Sequence, residues 1–164
     1  MIGRTTTDPY DEVRQQIEAL CARPIDPPAL YDSVCRVLHE TLPDYTWVGI
    51  YLVEGHDLVL AAWRGPAATE HVRIPVGEGI CGYAAAYGEA IIVPDVSRDP
   101  RYLQCFLDTR SEIVVPIIGE DGRVLGELDV DSQRLDAFGS DDRRLLEFVA
   151  QRLVDVTANR APVA

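Results

Sequence analysis

The apolar residues of this chain change their spacing twice, and that change limits the fold more than any other feature of the sequence. Near the start they recur every three or four positions, at Val13, Ile17, Leu20 and Cys21 and again at Leu30, Val34, Val37, Leu38 and Leu42. That spacing lines one side of a helix. From Tyr45 to Val53 the period becomes two, with Val48, Ile50 and Leu52 on one face of a predicted strand and Trp47, Gly49 and Tyr51 on the other. Turn sequences at Glu54-Gly55-His56-Asp57 and Glu120-Asp121-Gly122 then make two hairpins, whose other arms are Leu58–Trp63, Ile113–Ile118 and Arg123–Val130. A helical stripe returns at Leu145, Leu146, Val149, Leu153 and Val156. Helices at both ends and hairpins between them predict an α+β fold: one domain with a central antiparallel sheet and the N- and C-terminal helices packed on one face.

Local signals sharpen the boundaries. Asp8-Pro9 reads as an N-cap followed by proline at the first helical position, opening a helix that runs to about Ala22. Pro24, Pro27 and Pro28 break it, and Pro43 closes the second helix. Gly77-Glu78-Gly79 precedes a short helix over Cys81–Tyr87 that ends at Gly88, and Ile91–Val93 is a short strand. The stretch Pro94–Leu107 reads as a long loop with one helical turn, the kind of loop that usually carries function. Ser140 is the expected cap of the last helix, with Asp141 and Asp142 at the positive end of its dipole. The expected organisation is an N-terminal helix and linker at 1–26, the main domain at 27–157 and a flexible tail at 158–164. The sheet face opposite the terminal helices needs a cover, and the long loop with the Cys81 helix would supply it and enclose a pocket.

Composition excludes several function classes. The net charge is −12, so a phosphate backbone would be repelled and nucleic acid is a poor partner. No apolar run approaches the roughly 18–20 residues of a membrane span. The first residues, Met-Ile-Gly-Arg-Thr-Thr-Thr, carry no apolar leader, which points to the cytoplasm and a reducing compartment. The four cysteines, Cys21, Cys35, Cys81 and Cys105, form no CxxC pair, and His39, His56 and His71 share no ligand spacing, so no metal is expected.

Three groups of residues could carry chemistry. Trp47 and Tyr51 share a strand face, either as core packing or as the aromatic wall of a pocket that Gly49 leaves open to a ligand. Glu127, Asp129 and Asp131 alternate on another strand, and Glu112 begins its neighbour. On a solvated face these carboxylates would be unremarkable; in a pocket they would suit a cationic group or hold a proton at raised pKa. Cys21 and Cys35 fall on helical apolar stripes and read as inert packing. Cys81 lies near a helix start, where the dipole favours a thiolate, and Cys105 lies in the long loop close in sequence to Arg98, Arg101 and Arg110, which would favour one too.

Together these segments resemble a GAF domain and, within that group, the free methionine-(R)-sulfoxide reductases. The resemblance runs from about Leu42 to Leu153. It rests on Trp47-Val48-Gly49-Ile50-Tyr51, Arg73-Ile74-Pro75, Gly79-Ile80-Cys81-Gly82, Ser111-Glu112-Ile113-Val114-Val115-Pro116 and Leu128-Asp129-Val130-Asp131-Ser132. Cys105 stands where the family places a further cysteine, whereas the third family cysteine, ten positions before Cys81, is His71 here. The resemblance implies a thioredoxin-dependent reduction of free methionine-(R)-sulfoxide through a cysteine sulfenic acid and an intramolecular disulfide, with no bound cofactor. It assigns Cys105 as nucleophile and Cys81 as resolving thiol, roles that could be exchanged. Trp47 and Tyr51 would hold the S-methyl group, while Glu112, Asp129 and Asp131 would bind the ammonium and polarise the sulfoxide. The alternatives are a non-catalytic GAF sensor of a small ligand or of oxidants, and a dimerisation module; the terminal helices are where a homodimer would form.

Overall fold

The computed structural model describes residues 6–158. Helices α1 (Pro9–Cys21) and α2 (Pro27–Thr41) lead into strands β1 (Trp47–Glu54), β2 (Asp57–Arg64) and β3 (Arg73–Pro75). Helix α3 (Gly79–Tyr87), strand β4 (Ile91–Val93), a 3-10 turn (Val96–Arg98), strands β5 (Ser111–Ile118) and β6 (Val124–Ser132) and helix α4 (Ser140–Ala158) follow. The strands form one antiparallel sheet in the order β3-β2-β1-β6-β5-β4. Residues 159–164 of the expected tail lie outside the described residues.

The helical starts follow from their caps. Asp8 accepts a hydrogen bond from the Tyr10 amide at 2.8 Å, and Pro9 supplies the helical φ without losing a useful donor. The prolines that break α1 also open α2, where Pro27 and Pro28 take the first turn. Helix α4 corrects the expected cap: Ser140 is already helical, and Gly139 occupies the cap position. Its carbonyl accepts from the Arg143 amide at 3.1 Å, while its own amide donates to Asp142 Oδ2 at 2.9 Å. Asp142 Oδ1 accepts from the hydroxyls of Tyr10 and Tyr45, so one carboxylate ties α1, α4 and the start of β1 together.

As expected, the terminal helices gather on one face of the sheet: α2 and α4 cover it, and α1 packs against those two helices. Val48, Ile50, Ile113, Val115, Leu128 and Val130 point into that layer and pack on Val13, Ile17, Leu30, Val34, Leu145 and Val149. Cys35 is buried there, as a packing cysteine should be. The opposite face carries a second, smaller core built from Trp47, Tyr51, Leu58, Ile74, Val114 and residues of α3. The sequence pattern missed β3, whose three residues are too few to show a period. Among the described residues no helix is long and apolar enough to cross a membrane. Among the described residues, the well-exposed large apolar side chains fall on strands, loops and α3, and none lies on α1, α2 or α4.

Candidate active site

Alternation along β6 puts Leu128 and Val130 into the helix-covered core, so Glu127, Asp129 and Asp131 must point the other way. The ladder fixes their neighbours. Asp131 pairs with Trp47 on one side and Glu112 on the other, Asp129 with Gly49 and Val114, and Glu127 with Tyr51 and Pro116. Both strands next to β6 therefore deliver the residues singled out above to one patch. α3 covers it with Ile80, Cys81 and Ala84, and the long loop adds Tyr102, Leu103, Cys105 and Phe106. The carboxylates are not a solvated face: Glu112, Glu127, Asp129 and Asp131 are 5%, 0%, 2% and 2% exposed.

The thiol of Cys81 lies 3.9 Å from Glu112 Oε1, and one donor atom each of Cys81, Glu112 and Asp129 fall within 4.8 Å of one another. Like charges at such spacing in a desolvated site cannot all ionise. Burial pushes the Asp129 carboxyl up to about 6, with hydrogen bonds from Glu112 and Cys81 holding it from rising further. Glu112 rises well above the ordinary range through burial and then through the charges of Asp129 and Asp131, and Asp131 through burial and Asp129. Burial among neighbouring acids thus makes every carboxyl of the cluster a stronger base than an exposed one. Glu112 Oε2, Asp129 Oδ1 and both Glu127 oxygens are buried without a well-formed hydrogen bond.

The thiols correct an expectation. Cys81 is pushed well up by burial and then by Asp129, Glu127 and Glu112; Cys105 is pushed up by burial, then by Asp129, Asp131 and Glu112, against a lowering hydrogen bond with Thr69. A helix start is worth about 0.3–1 kcal/mol to an anion at an exposed site, too little to offset full desolvation beside three carboxylates. Two of the three arginines near Cys105 in sequence are engaged elsewhere. Arg101 holds Asp99 through two bonds at 2.9 and 2.7 Å and lies over the Tyr83 ring, and the exposed Arg98 pairs with Asp95.

The aromatic wall is present, but Gly49 does not leave it open. The Trp47 ring itself lies over Gly49 and Gly65, and a Cβ at either glycine would collide with it. Trp47 stacks on Trp63 at 6.4 Å and meets Phe106 at 5.9 Å, and its Nε1 is buried without a partner. Tyr51 donates its hydroxyl to the His71 carbonyl at 2.8 Å. His71 Nε2 lies 3.2 Å from the Gln104 carbonyl, next to Cys105, so the residue at the third-cysteine position latches the loop onto the 69–71 segment. Tyr102, Leu103, Phe106 and Thr69 were missed by sequence reasoning; the bulky residues flanking Cys105 were the available signal.

The space between the two thiols is nearly closed. A cavity of about 10 Å³ is lined by Ile74, Gly79, Ile80, Cys81, Leu103, Cys105 and Glu112. That holds about one water and no amino acid. Leu103 seals it by packing over Gly79, whose φ of +70° suits glycine. Larger clefts, of about 510 Å³ beside Pro94–Arg101 and about 490 Å³ between α2 and β2, lie away from the thiols. Cys81 is thus buried beneath the Cys105 loop.

A six-stranded antiparallel sheet with terminal helices on one face and a covered, functionalised other face defines the class: this chain belongs to the GAF domain family, which residues 26–154 match. It is similar to the free methionine-R-sulfoxide reductase of Escherichia coli, 33% identical over 152 residues that cover 93% of this chain and 90% of that one. The X-ray structure of free methionine-R-sulfoxide reductase from Neisseria meningitidis in complex with its substrate superposes with a TM-score of 0.84 at 39% identity, covering 93% and 92% of the two chains. GAF domain-containing protein A of Dictyostelium discoideum is 36% identical over 145 residues, 88% of this chain and 89% of its own.

Proposed function

We infer that this chain is a free methionine-(R)-sulfoxide reductase. The observation that carries the reading is the closed patch in which two thiols, Cys81 and Cys105, face Glu112, Asp129 and Asp131 beside Trp47 and Tyr51. The relatives named for this activity support the same reaction.

In the proposed cycle the Cys105 sulfur attacks the sulfoxide sulfur. A protonated carboxyl of the cluster donates to the sulfoxide oxygen; the substrate S–O bond then breaks as the oxygen passes to Cys105, and the transient S–S bond opens, so methionine leaves and Cys105 is left as a sulfenic acid. Cys81 then condenses with it, releasing water and forming a disulfide that reduced thioredoxin opens. Trp47 and Tyr51 would hold the S-methyl group. Burial first and the carboxylate charges second keep both thiols protonated, and an amino acid's ammonium among Glu112, Asp129 and Asp131 would offset the second of these, so binding itself would raise their reactivity. A peptide-bound residue lacks that ammonium.

The deciding assay is NADPH consumption coupled through thioredoxin, with each methionine sulfoxide epimer, free and in oxidised protein. Activity is expected with the free R epimer alone. Equal rates on free and protein-bound sulfoxide would remove the enclosed-pocket reading, and no turnover of either would leave a GAF sensor.

A further inference from the structure

On the thiol-bearing face of the sheet, Glu127 is a buried ionisable group that the cycle above leaves without a task. It is fully buried, and neither carboxyl oxygen has a well-formed hydrogen bond. Tyr51, its partner across the ladder, spends its hydroxyl on the His71 carbonyl and cannot donate to it. The groups facing Glu127 are Cys81 from α3, Tyr51 from β1, Glu112 from β5 and Asp129 on its own strand.

Strand geometry divides the carboxylates between the two sulfurs. Alternate residues of β6 stand about 6.6–6.8 Å apart along the strand. Asp131, at one end, bears on Cys105 with Asp129 and Glu112, whereas Glu127, at the other, bears on Cys81 with Asp129 and Glu112. Closing the disulfide needs both ends. The Cys81 sulfur must lose a proton while the hydroxyl leaving Cys105 must gain one, and Glu127 bears on the first of these sulfurs and Asp131 on the second.

We propose that Glu127 is a catalytic residue of the reductase cycle, the base that takes the proton from Cys81 as its sulfur attacks the sulfenic acid of Cys105. The proposal rests on the reductase reading. In the step, the Cys81–Cys105 S–S bond forms and the Cys105 S–O bond breaks. The Cys81 sulfur is oxidised and the Cys105 sulfur reduced. The thiol proton goes to the Glu127 carboxylate, and the departing oxygen takes a proton from the Glu112–Asp129 end of the cluster and leaves as water. Burial and the Asp129 charge make Glu127 more basic than an exposed carboxylate, which brings it nearer to the thiol it must deprotonate.

The test is a single turnover of the full chain with one equivalent of free methionine-(R)-sulfoxide and no reductant. Quenched samples are read for methionine, for the Cys81–Cys105 disulfide and for sulfenic acid trapped on Cys105 with dimedone. In Glu127→Gln the ratio of disulfide formation to methionine release is expected to fall on the order of 100-fold, the scale of a general base, with trapped sulfenic acid accumulating. The parent's disulfide step should quicken with pH through a carboxyl ionisation, and that limb should vanish in Glu127→Gln. Glu127→Met, which also removes the base but fits the apolar surroundings, should behave alike if the glutamine variant does not fold. An unchanged ratio in the folded variant, or equal slowing of both steps, overturns the proposal. A parent that releases no methionine overturns the reductase reading instead.

Discussion

Replacing Asp129 by Asn keeps the shape of the central carboxyl and removes its charge. In the folded chain this carboxyl titrates at about 6, against an ordinary 3.8, mainly because it is buried. Below about pH 3.8 it is protonated whether the chain is folded or not, and the raised value costs nothing. As the pH climbs past 3.8 the unfolded chain ionises first, and the stability lent by the bound proton is lost until the folded carboxyl ionises near 6. A shift of roughly two pKa units at about 1.36 kcal/mol each gives a loss of about 3 kcal/mol above pH 6. For a chain of this length that corresponds to a Tm difference of roughly 6–12 °C. Urea melts of the reduced parent and of Asp129→Asn, followed by far-UV circular dichroism from pH 4 to 7.5, test this. The variant should match the parent near pH 4 and exceed it by about 3 kcal/mol or more at pH 7.5, since removing the Asp129 charge also relieves Glu112 and Asp131, which that charge raises. A gap that stays constant with pH would refute the claim that this carboxyl is buried among like charges.

Three other substitutions probe the site. Stoichiometric methionine-(R)-sulfoxide should leave a Cys81–Cys105 disulfide, readable by peptide mass mapping; Cys105→Ser should form no methionine, and Cys81→Ser about one per chain before stalling as the sulfenic acid. A burst from the Cys105 variant would exchange the two roles. Gly49→Ala should force the Trp47 ring out of place, costing about 1–3 kcal/mol of stability and raising KM; an unchanged thermal midpoint and KM would show that the ring is not gripped there.

The strands and helices were legible because their periods differ. Val48, Ile50 and Leu52 could only share a face with one another, and so could Glu127, Asp129 and Asp131. Which of the two faces is wet is not written in alternation. Three acids at every second position look like a solvated edge, and only α3 and the Cys105 loop, packed from elsewhere in the chain, make them buried. The thiols misled for the same reason. Arg101 is near Cys105 in sequence, but Asp99, two residues away from it, already holds the guanidinium. Gly49 looked like room for a ligand, since nothing in the strand pattern says that Trp47 folds back over it. Glu127 could be placed on the right face, yet its tie to Cys81 depends on where α3 comes down.

The alternation of β6 also bears on how the chain avoids misfolding. Its even positions, Leu128 and Val130, complete an oily layer, and its odd positions carry the acids. A slip of one residue in pairing with β1 or β5 would exchange the two sets. Three carboxyls would enter the layer beneath α2 and α4, where nothing offers them a proton partner, while the chemistry-bearing side would receive aliphatic groups. Desolvating even one unpaired acid there costs several kcal/mol, comparable with the whole stability of a small domain. The residues that make the pocket reactive thus act as register pins: an off-by-one sheet is penalised at Glu127, Asp129 and Asp131 alike.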